Sequence, residues 1–439
     1  MTVVSQRVQA TVPSQDWAQP DADRRAWYTL ALLSVVMGVS YADRMVLPVL
    51  VTPIKAELGL SDTQIGLLTG IAFSMFYAAC SLPIGWLADR GSRKMLVSLA
   101  LVCWSIATAV TSTVTGVGQM LLARCAVGAG EGGAVPSAYS MIGDLFPPQR
   151  RTTALAIFTA GGPVGVLVSL ALAGWLGEMV GWRTTFIVIG LPGLLLALIF
   201  WITVREPARP ANEGLRGDGP TWLVVVALCR NPAFVHYTLG YSVAVLLLHG
   251  HLQWLPAFFH RSFGVSGASL GFSIAITRAL GTVLGLIAGG LLADWLVKRD
   301  PRAPNRIIFA TSAFGVVAQA GVLLTTNLHV AYAFSAIVGF VTSLPIGPLT
   351  AAIQAQASPR TRATAGAVML IVSSVIGMGG GPLAVGVLSD LLAARAGQES
   401  LRYSLMILTV IAGPWMLMHL ARAQRCLFHA MVNSVSTGS

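Results

Sequence analysis

Apolar runs of about twenty residues or more recur along almost the whole chain, separated by short polar breaks. They lack the period-two alternation of barrel strands and therefore predict membrane-spanning helices. Twelve spans are expected, over residues 27–50, 61–88, 94–114, 117–145, 151–177, 183–203, 232–259, 266–296, 305–325, 329–356, 362–392 and 400–422. The expected fold class is an all-α polytopic membrane protein built as two six-helix bundles. Residues 27–203 form one bundle and 232–422 the other, with an inter-bundle loop at 204–231 rich in Pro, Gly and both signs of charge. Residues 1–26 are polar and lack a short apolar core with a cleavage site, so a disordered tail is expected there instead of a signal peptide. Residues 423–439 form a second tail.

The two halves repeat. Gly85-Trp-Leu-Ala-Asp89 returns as Gly290-Leu-Leu-Ala-Asp294 at an offset of 205, and Arg151-Thr-Thr-Ala154 as Arg362-Ala-Thr-Ala365 at 211. Gly-Gly-Pro ends at both Pro163 and Pro382. Parallel six-helix repeats related by a pseudo-two-fold axis, with a substrate site at their interface, are a transporter architecture.

Composition agrees: 55% of residues are hydrophobic and 10% charged, far below the roughly 25% charge of soluble domains. The net charge of +11 does not point to nucleic acid, because the charges lie in short loops. Twenty of the 28 Lys and Arg fall on the side of both termini, five on the opposite side and three within spans. That bias places both termini in the cytoplasm of a bacterial-type inner membrane. The five cysteines show neither a disulfide framework nor metal spacing, and no cofactor is expected. His-Glu-x-x-His, Gly-x-Ser-x-Gly and Cys-x-x-Cys are absent, which argues against an enzyme.

The charges left inside spans carry the candidate chemistry, since ions at membrane depth face a partner or a water-filled path. Arg124 and Glu131 are seven residues apart on one helix, so they share a stripe about 10 Å long. Gly128, Gly130, Gly132 and Gly133 thin that helix for close approach. Asp43 and Arg44 sit in the first span. Asp43 is either a titrating carboxylate or half of a salt bridge with Arg44 or Arg124, and Glu131 competes for the same guanidinium groups. At the repeat offsets the second half has no matching acids. It contributes Arg278, with no acid at helical spacing, and His249 and His251. Arg278 reads either as an anion contact or as captured by Asp43 or Glu131. The histidines read as ligand or proton groups, or as packing residues. In the loop after span two, Gly85 permits close helix contact and Asp89 can cap a neighbouring helix. Arg90 and Arg93 hold the loop on the terminal side, where Arg93 can pair with Asp144.

Twelve spans, the repeated Gly-x-x-x-Asp loop and Arg-x-x-x-Gly on span four resemble the major facilitator superfamily over essentially the whole chain. The loop departs from it once, with Ser92 in the place of the usual Gly. Asp43-Arg44, Gly128-Ala-Gly-Glu131, Asp144-Leu-Phe, Leu252-Gln-Trp-Leu-Pro256 and Gly386-Val-Leu-Ser-Asp390 resemble its spinster-like branch, which includes exporters of lysolipids and sphingoid-base phosphates. The resemblance implies a proton-coupled carrier, with Asp43 and Glu131 at the protonation positions and Arg124 between them. The expected function is alternating-access transport of an amphiphilic, lysolipid-like organic anion by a monomer in contact with membrane lipids. The alternatives are an organic-anion or sugar-acid symporter of the same superfamily, or a transport-inactive sensor.

Overall fold

The computed structural model describes residues 20–88, 90–207, 221–297, 303–358 and 361–436. In the first half, α1 (Pro20–Val49) is span one and a short α2 (Val51–Leu58) follows it. Span two is α3 (Asp62–Thr69) and α4 (Ile71–Ala88), broken at Gly70. Span three is α5 (Arg93–Val110). Span four is α6 (Val117–Glu131) and α7 (Ala134–Leu145), broken at Gly132 and Gly133. Spans five and six lie in α8 (Pro148–Thr203), which reverses at Gly181, where φ is +76°, a value open to glycine. After α9 (Thr221–Arg230), the second half opens with α10 (Pro232–Phe263) as span seven. Asn231 caps it, its side-chain oxygen accepting from the backbone N–H groups of Ala233 and Phe234. Span eight is α11 (Gly267–Ile274) and α12 (Leu280–Val297), joined by a wide helical turn at Ala275–Ala279. Span nine is α13 (Ala303–Leu324), and span ten is α14 (Leu328–Ser343) with α15 (Ile346–Gln354). Span eleven is α16 (Arg362–Val372), a second wide turn at Ser373–Gly379 and α17 (Gly380–Ala396), and span twelve is α18 (Ser400–Ser436).

Nine stretches among the described residues are long and apolar enough to cross a membrane. Gln149–Thr203 and Thr364–Leu427 each hold two spans, and span four, interrupted by its glycines, makes the twelfth. An even number of spans puts both chain ends on one face, the terminal face. Some ends differ from the hydropathy pattern: α1 starts at Pro20, α18 continues past 422 to Ser436, and α9 lies within the expected loop. Polar residues end an apolar run without ending a helix. Residues 1–19, 208–220 and 437–439 of the expected tails and loop lie outside the described residues.

The core is single at one face and double at the other. Near the opposite face one buried cluster draws on both halves, with Leu47, Leu68, Leu170, Trp254, Leu270 and Val385 among its members. Toward the terminal face the halves keep separate cores, one around Trp104, Met141 and Phe158 and one around Phe234, Ile353 and Leu420. The hydrogen bonds between the halves gather at the opposite face as well. Arg261 holds Asp62 with two bonds of 2.7 Å, and Ser389 donates to Asp62 at 2.6 Å. Lys55 pairs with the same carboxylate.

The internal repeat is visible as duplicated contacts. Within the halves, a Cβ on Gly128 would lie 2.4 Å from the carbonyl oxygen of Phe73, and one on Gly339 2.3 Å from that of Arg278. Between the halves, Gly66 meets Pro382 as Gly271 meets Leu170, and Gly386 meets Asp62 as Gly174 meets Gly267. Helix termini are capped reciprocally. Asp390 accepts from the backbone N–H groups of Asp62 and Thr63 at 3.0 and 2.7 Å, so the second half caps α3. Glu178 accepts from that of Ala268 at 3.1 Å, so the first half caps α11. Gly267, at φ +55°, leaves space that any side chain would take from the Glu178 carboxylate. These contacts pair Leu170 with Pro382, an offset of 212, and overturn the Gly-Gly-Pro pairing of Pro163 with Pro382. The change from 211 to 212 follows from the wide turn at Ser373–Gly379, since such a turn adds one residue to a helix.

Candidate functional site

Four spans of the first half converge on one buried polar group. Helix α1 supplies Ser40, Tyr41, Asp43 and Arg44, α4 supplies Phe73 and Tyr77, α5 supplies Thr108, and α6 supplies Arg124 and Glu131. Ser40 and Arg44 are one turn apart on α1, so both reach Glu131. Ser40 Oγ donates to Glu131 Oε2 at 2.6 Å, Arg44 Nε donates to it at 2.7 Å, and Arg44 Nη2 lies 2.6 Å from it. The Arg44 guanidinium is ringed by Tyr41, Phe73 and Tyr77, with centroids 4.9, 4.7 and 5.0 Å from its Cζ. Such faces attract a cation and exclude water from it. Gly128 makes the ring possible, because it lets α6 press against the main chain at Phe73.

Asp43, 2% exposed, pairs with neither arginine by hydrogen bond. Its Oδ2 accepts from Thr108 Oγ1, and its Oδ1 has no partner among the described residues. Arg124 feels the charge of both carboxylates, yet its Nε and Nη2 are buried without a hydrogen bond among the described residues. Glu131 Oε1 is unsatisfied too. Unpaired atoms on two acids and one arginine leave this group incomplete without protons, water or a ligand. Arg44, Arg124, Tyr41 and Phe73 line a cavity of about 30 Å³ between the halves, closed on the other side by His249 and Met378. That is room for a water molecule or two.

Arg278 and His251 are elsewhere. They line a cavity of about 110 Å³ formed wholly by the second half, and the two cavities share no lining residue. Arg278 is therefore not captured by Asp43 or Glu131, and its hydrogen bond among the described residues is to Gln319. His249 faces the inter-half cavity with Nδ1 unsatisfied.

The loop motif is partly as expected. Arg93 pairs with Asp144 and donates to Ser140 at 3.2 Å. Arg90 stacks on Trp86, 4.0 Å from its centroid. Asp89 lies outside the described residues. Asp294 lies on α12, its side chain likewise outside the description. A Cβ on Gly85 would make only ordinary contact with Pro136, at 3.7 Å, and one on Gly290 would meet nothing, so neither needs to be glycine for packing. Sequence reasoning missed Glu206. It accepts from Ser92 Oγ at 2.7 Å, Lys94 N at 2.8 Å and Arg93 Nε at 2.9 Å, capping α5 from beyond span six. Burial pushes its carboxyl up, but these donors win and hold it below its ordinary range.

A family model described as Major Facilitator Superfamily matches residues 32–382. The chain is similar to an MFS-type efflux pump of Mycolicibacterium smegmatis, 33% identical over 90% of this chain and 91% of that one. It is also similar to a probable L-galactonate transporter of Escherichia coli, 29% identical over 69% and 71%. Among solved structures it resembles a bacterial homologue of the human lysosomal transporter Spinster, inward-facing and unoccupied. The TM-score is 0.81 at 26% identity, covering 92% of this chain and 98% of that one.

Proposed function

Since the chain belongs to the major facilitator superfamily and is an integral membrane transporter, we propose that it couples the movement of an amphiphilic organic anion to that of protons. The observation that carries this reading is the single-oxygen grip of Arg44 on Glu131, beside the unpaired Asp43 and the unsatisfied Arg124. Deprotonated Glu131 occupies the guanidinium that an incoming anion needs. A proton on Glu131 weakens that grip and frees Arg44 to bind the anion, so proton and anion favour each other's binding. Asp43 provides a second protonation position, balanced between burial and the fields of Arg124 and Arg44. Protons and anion then cross together by alternating access. Both termini are taken as cytoplasmic from the Lys and Arg bias, and the state described is then closed to the outside.

The cavity that meets Arg44 and Arg124 has room only for water in the state described. Its lining is mostly apolar, with Met45, Leu47, Leu68, Leu252 and Met378 beside Thr69, Gln253 and His249, and once widened it would suit an anionic head with an apolar body such as a lysolipid. A sugar acid is the second reading, favoured by the similarity to the L-galactonate transporter. Proteoliposomes with an internal pH dye test both. Proton entry on adding lysophosphatidate supports the proposal, and entry on adding L-galactonate alone moves it to the second substrate. Proton flow opposite to the anion, or none with either, overturns it.

A further inference from the structure

The larger cavity belongs to no step above. It lies inside the second bundle, bounded by α10, α13, α14, α15, α18 and the wide turn that carries Arg278. Gly339 brings α14 against the carbonyl of Arg278, which fixes the base of that side chain while its guanidinium lines the chamber. Arg278 is 3% exposed, and its side chain's hydrogen bond among the described residues is a 3.2 Å contact from Nη1 to Gln319 Oε1. Among the described residues, no carboxylate lines the chamber. A buried, uncompensated cation is among the costliest groups in a membrane interior, and it calls for a counter-ion.

The other polar groups present donors as well. Gln319 Nε2 is buried without a partner among the described residues, and Tyr241 and Ser312 line the same space. His251 Nδ1 donates to the carbonyl of Leu247 at 2.7 Å, and its Nε2 lies 2.9 Å from Thr409 Oγ1, which itself donates to the carbonyl of Leu405, so both ring nitrogens already have partners. Arg278, with N–H groups to spare, and Gln319, with an unused amide N–H, thus line a chamber whose remaining walls are mostly apolar, with hydroxyl-bearing residues among them. A cavity of roughly 150 Å³ accepts benzene. One of about 110 Å³ suits a group somewhat smaller.

We infer that this chamber is a binding site for a small monocarboxylate, of acetate to butyrate size, held through its charge by Arg278 and Gln319. The site is separate from the inter-half cavity and does not depend on the proton-coupled reading. Two N–H donors on one carboxylate make the bond charge-assisted, and loss of Arg278 weakens it about ten- to a hundredfold. The test is thermal unfolding of the purified full chain in detergent, titrated with sodium acetate and sodium butyrate at constant ionic strength. Wild type shows a saturable rise in Tm. Arg278→Gln shifts the half-saturating concentration up by that factor, and Ser312→Leu, which fills the chamber and keeps the charge, loses the response. Asp43→Asn keeps it. If Arg278→Gln fails to fold, Ser312→Leu decides. No saturable rise in wild type, or a rise undiminished in the folded chamber variants, overturns the site. A rise lost in Asp43→Asn and kept in Arg278→Gln assigns the carboxylate to the inter-half cavity, and equal saturation by chloride makes the site a halide site; either result overturns the proposal.

Discussion

Arg44 grips Glu131 through one oxygen only: Nε and Nη2 both lie within 2.7 Å of Oε2, while Oε1 is buried with no partner among the described residues. A structural bridge of this pair would use both oxygens in a forked arrangement. The one-sided grip leaves a lone pair free to take a proton while the contact is still made.

Removing the titrating groups while keeping their shape separates coupling from binding. Asp43→Asn and Glu131→Gln are expected to lower pH-gradient-driven transport roughly tenfold or more, with substrate affinity changed far less. Uphill flux and equilibrium binding in the same proteoliposomes check this. Wild-type uphill flux in both variants would remove these acids from the mechanism.

The aromatic ring around Arg44 is shaped for a planar cation. Arg44→Lys keeps the charge but loses the Nε and Nη2 donation and much of the stacking on Tyr41, Phe73 and Tyr77. Substrate affinity is expected to fall about tenfold, the equivalent of roughly 1.4 kcal/mol. Equal affinity of Arg44→Lys and wild type would show that the anion does not use the fork.

Gly128 and Gly339 make the same contact in the two halves. Alanine at either site drives a methyl into a main-chain carbonyl, of Phe73 or of Arg278, and a carbonyl in a helix has little room to yield. Each substitution is expected to cost about 1–3 kcal/mol, read as a lower Tm. Gly85→Ala and Gly290→Ala, where the added methyl meets ordinary contact or open space, are the controls.

Glu206 gives the terminal face a pH dependence of known sign. Its carboxyl is held below the ordinary value of 4.5, so its contribution to stability is complete above that value. It is lost as the pH falls below 4.5 and through the lowered value. Glu206→Gln is expected to flatten the acid limb of a plot of Tm against pH. An unchanged acid limb would show that the α5 cap contributes nothing to it.

The face joined by the reciprocal caps is expected to loosen when they are neutralised. Double electron–electron resonance between labels at Thr113 and Thr326, both exposed near that face, reads the separation directly. Asp390→Asn with Glu178→Gln should broaden it toward longer distances. A distribution identical to that of the parent would mean that the apolar core alone holds the face shut.

How much of this was legible in the sequence depends on how far each relation reaches along the chain. The spans, the repeat and the grouping of Asp43, Arg44, Arg124 and Glu131 could be read from local pattern, because each rests on helical spacing or on charge inside an apolar run. Which arginine takes Glu131 could not. Arg124 shares its stripe, but Arg44 reaches it from another helix, at an angle set by glycine packing that no spacing rule encodes. Arg278 misled for the same reason: a charge on an inner span looks as though it must face the interface, and the wide turn places it inside its own bundle. Glu206 was hidden as one charge in a polar connection. The inter-half caps left a signal that went unread, since the offset of 205 sets Gly267 opposite Asp62.

The two inter-half caps lie on opposite sides of the pseudo-two-fold axis, one between α3 and α17 and the other between α11 and α8. A body fastened at one point can swivel about it freely. Fastened at two, it keeps one freedom, rotation about the line through both. While both caps hold, that line is a fulcrum, and the halves can rock so that the terminal face narrows or widens with neither cap broken. Parting the opposite face requires the fulcrum itself to be given up and another formed elsewhere.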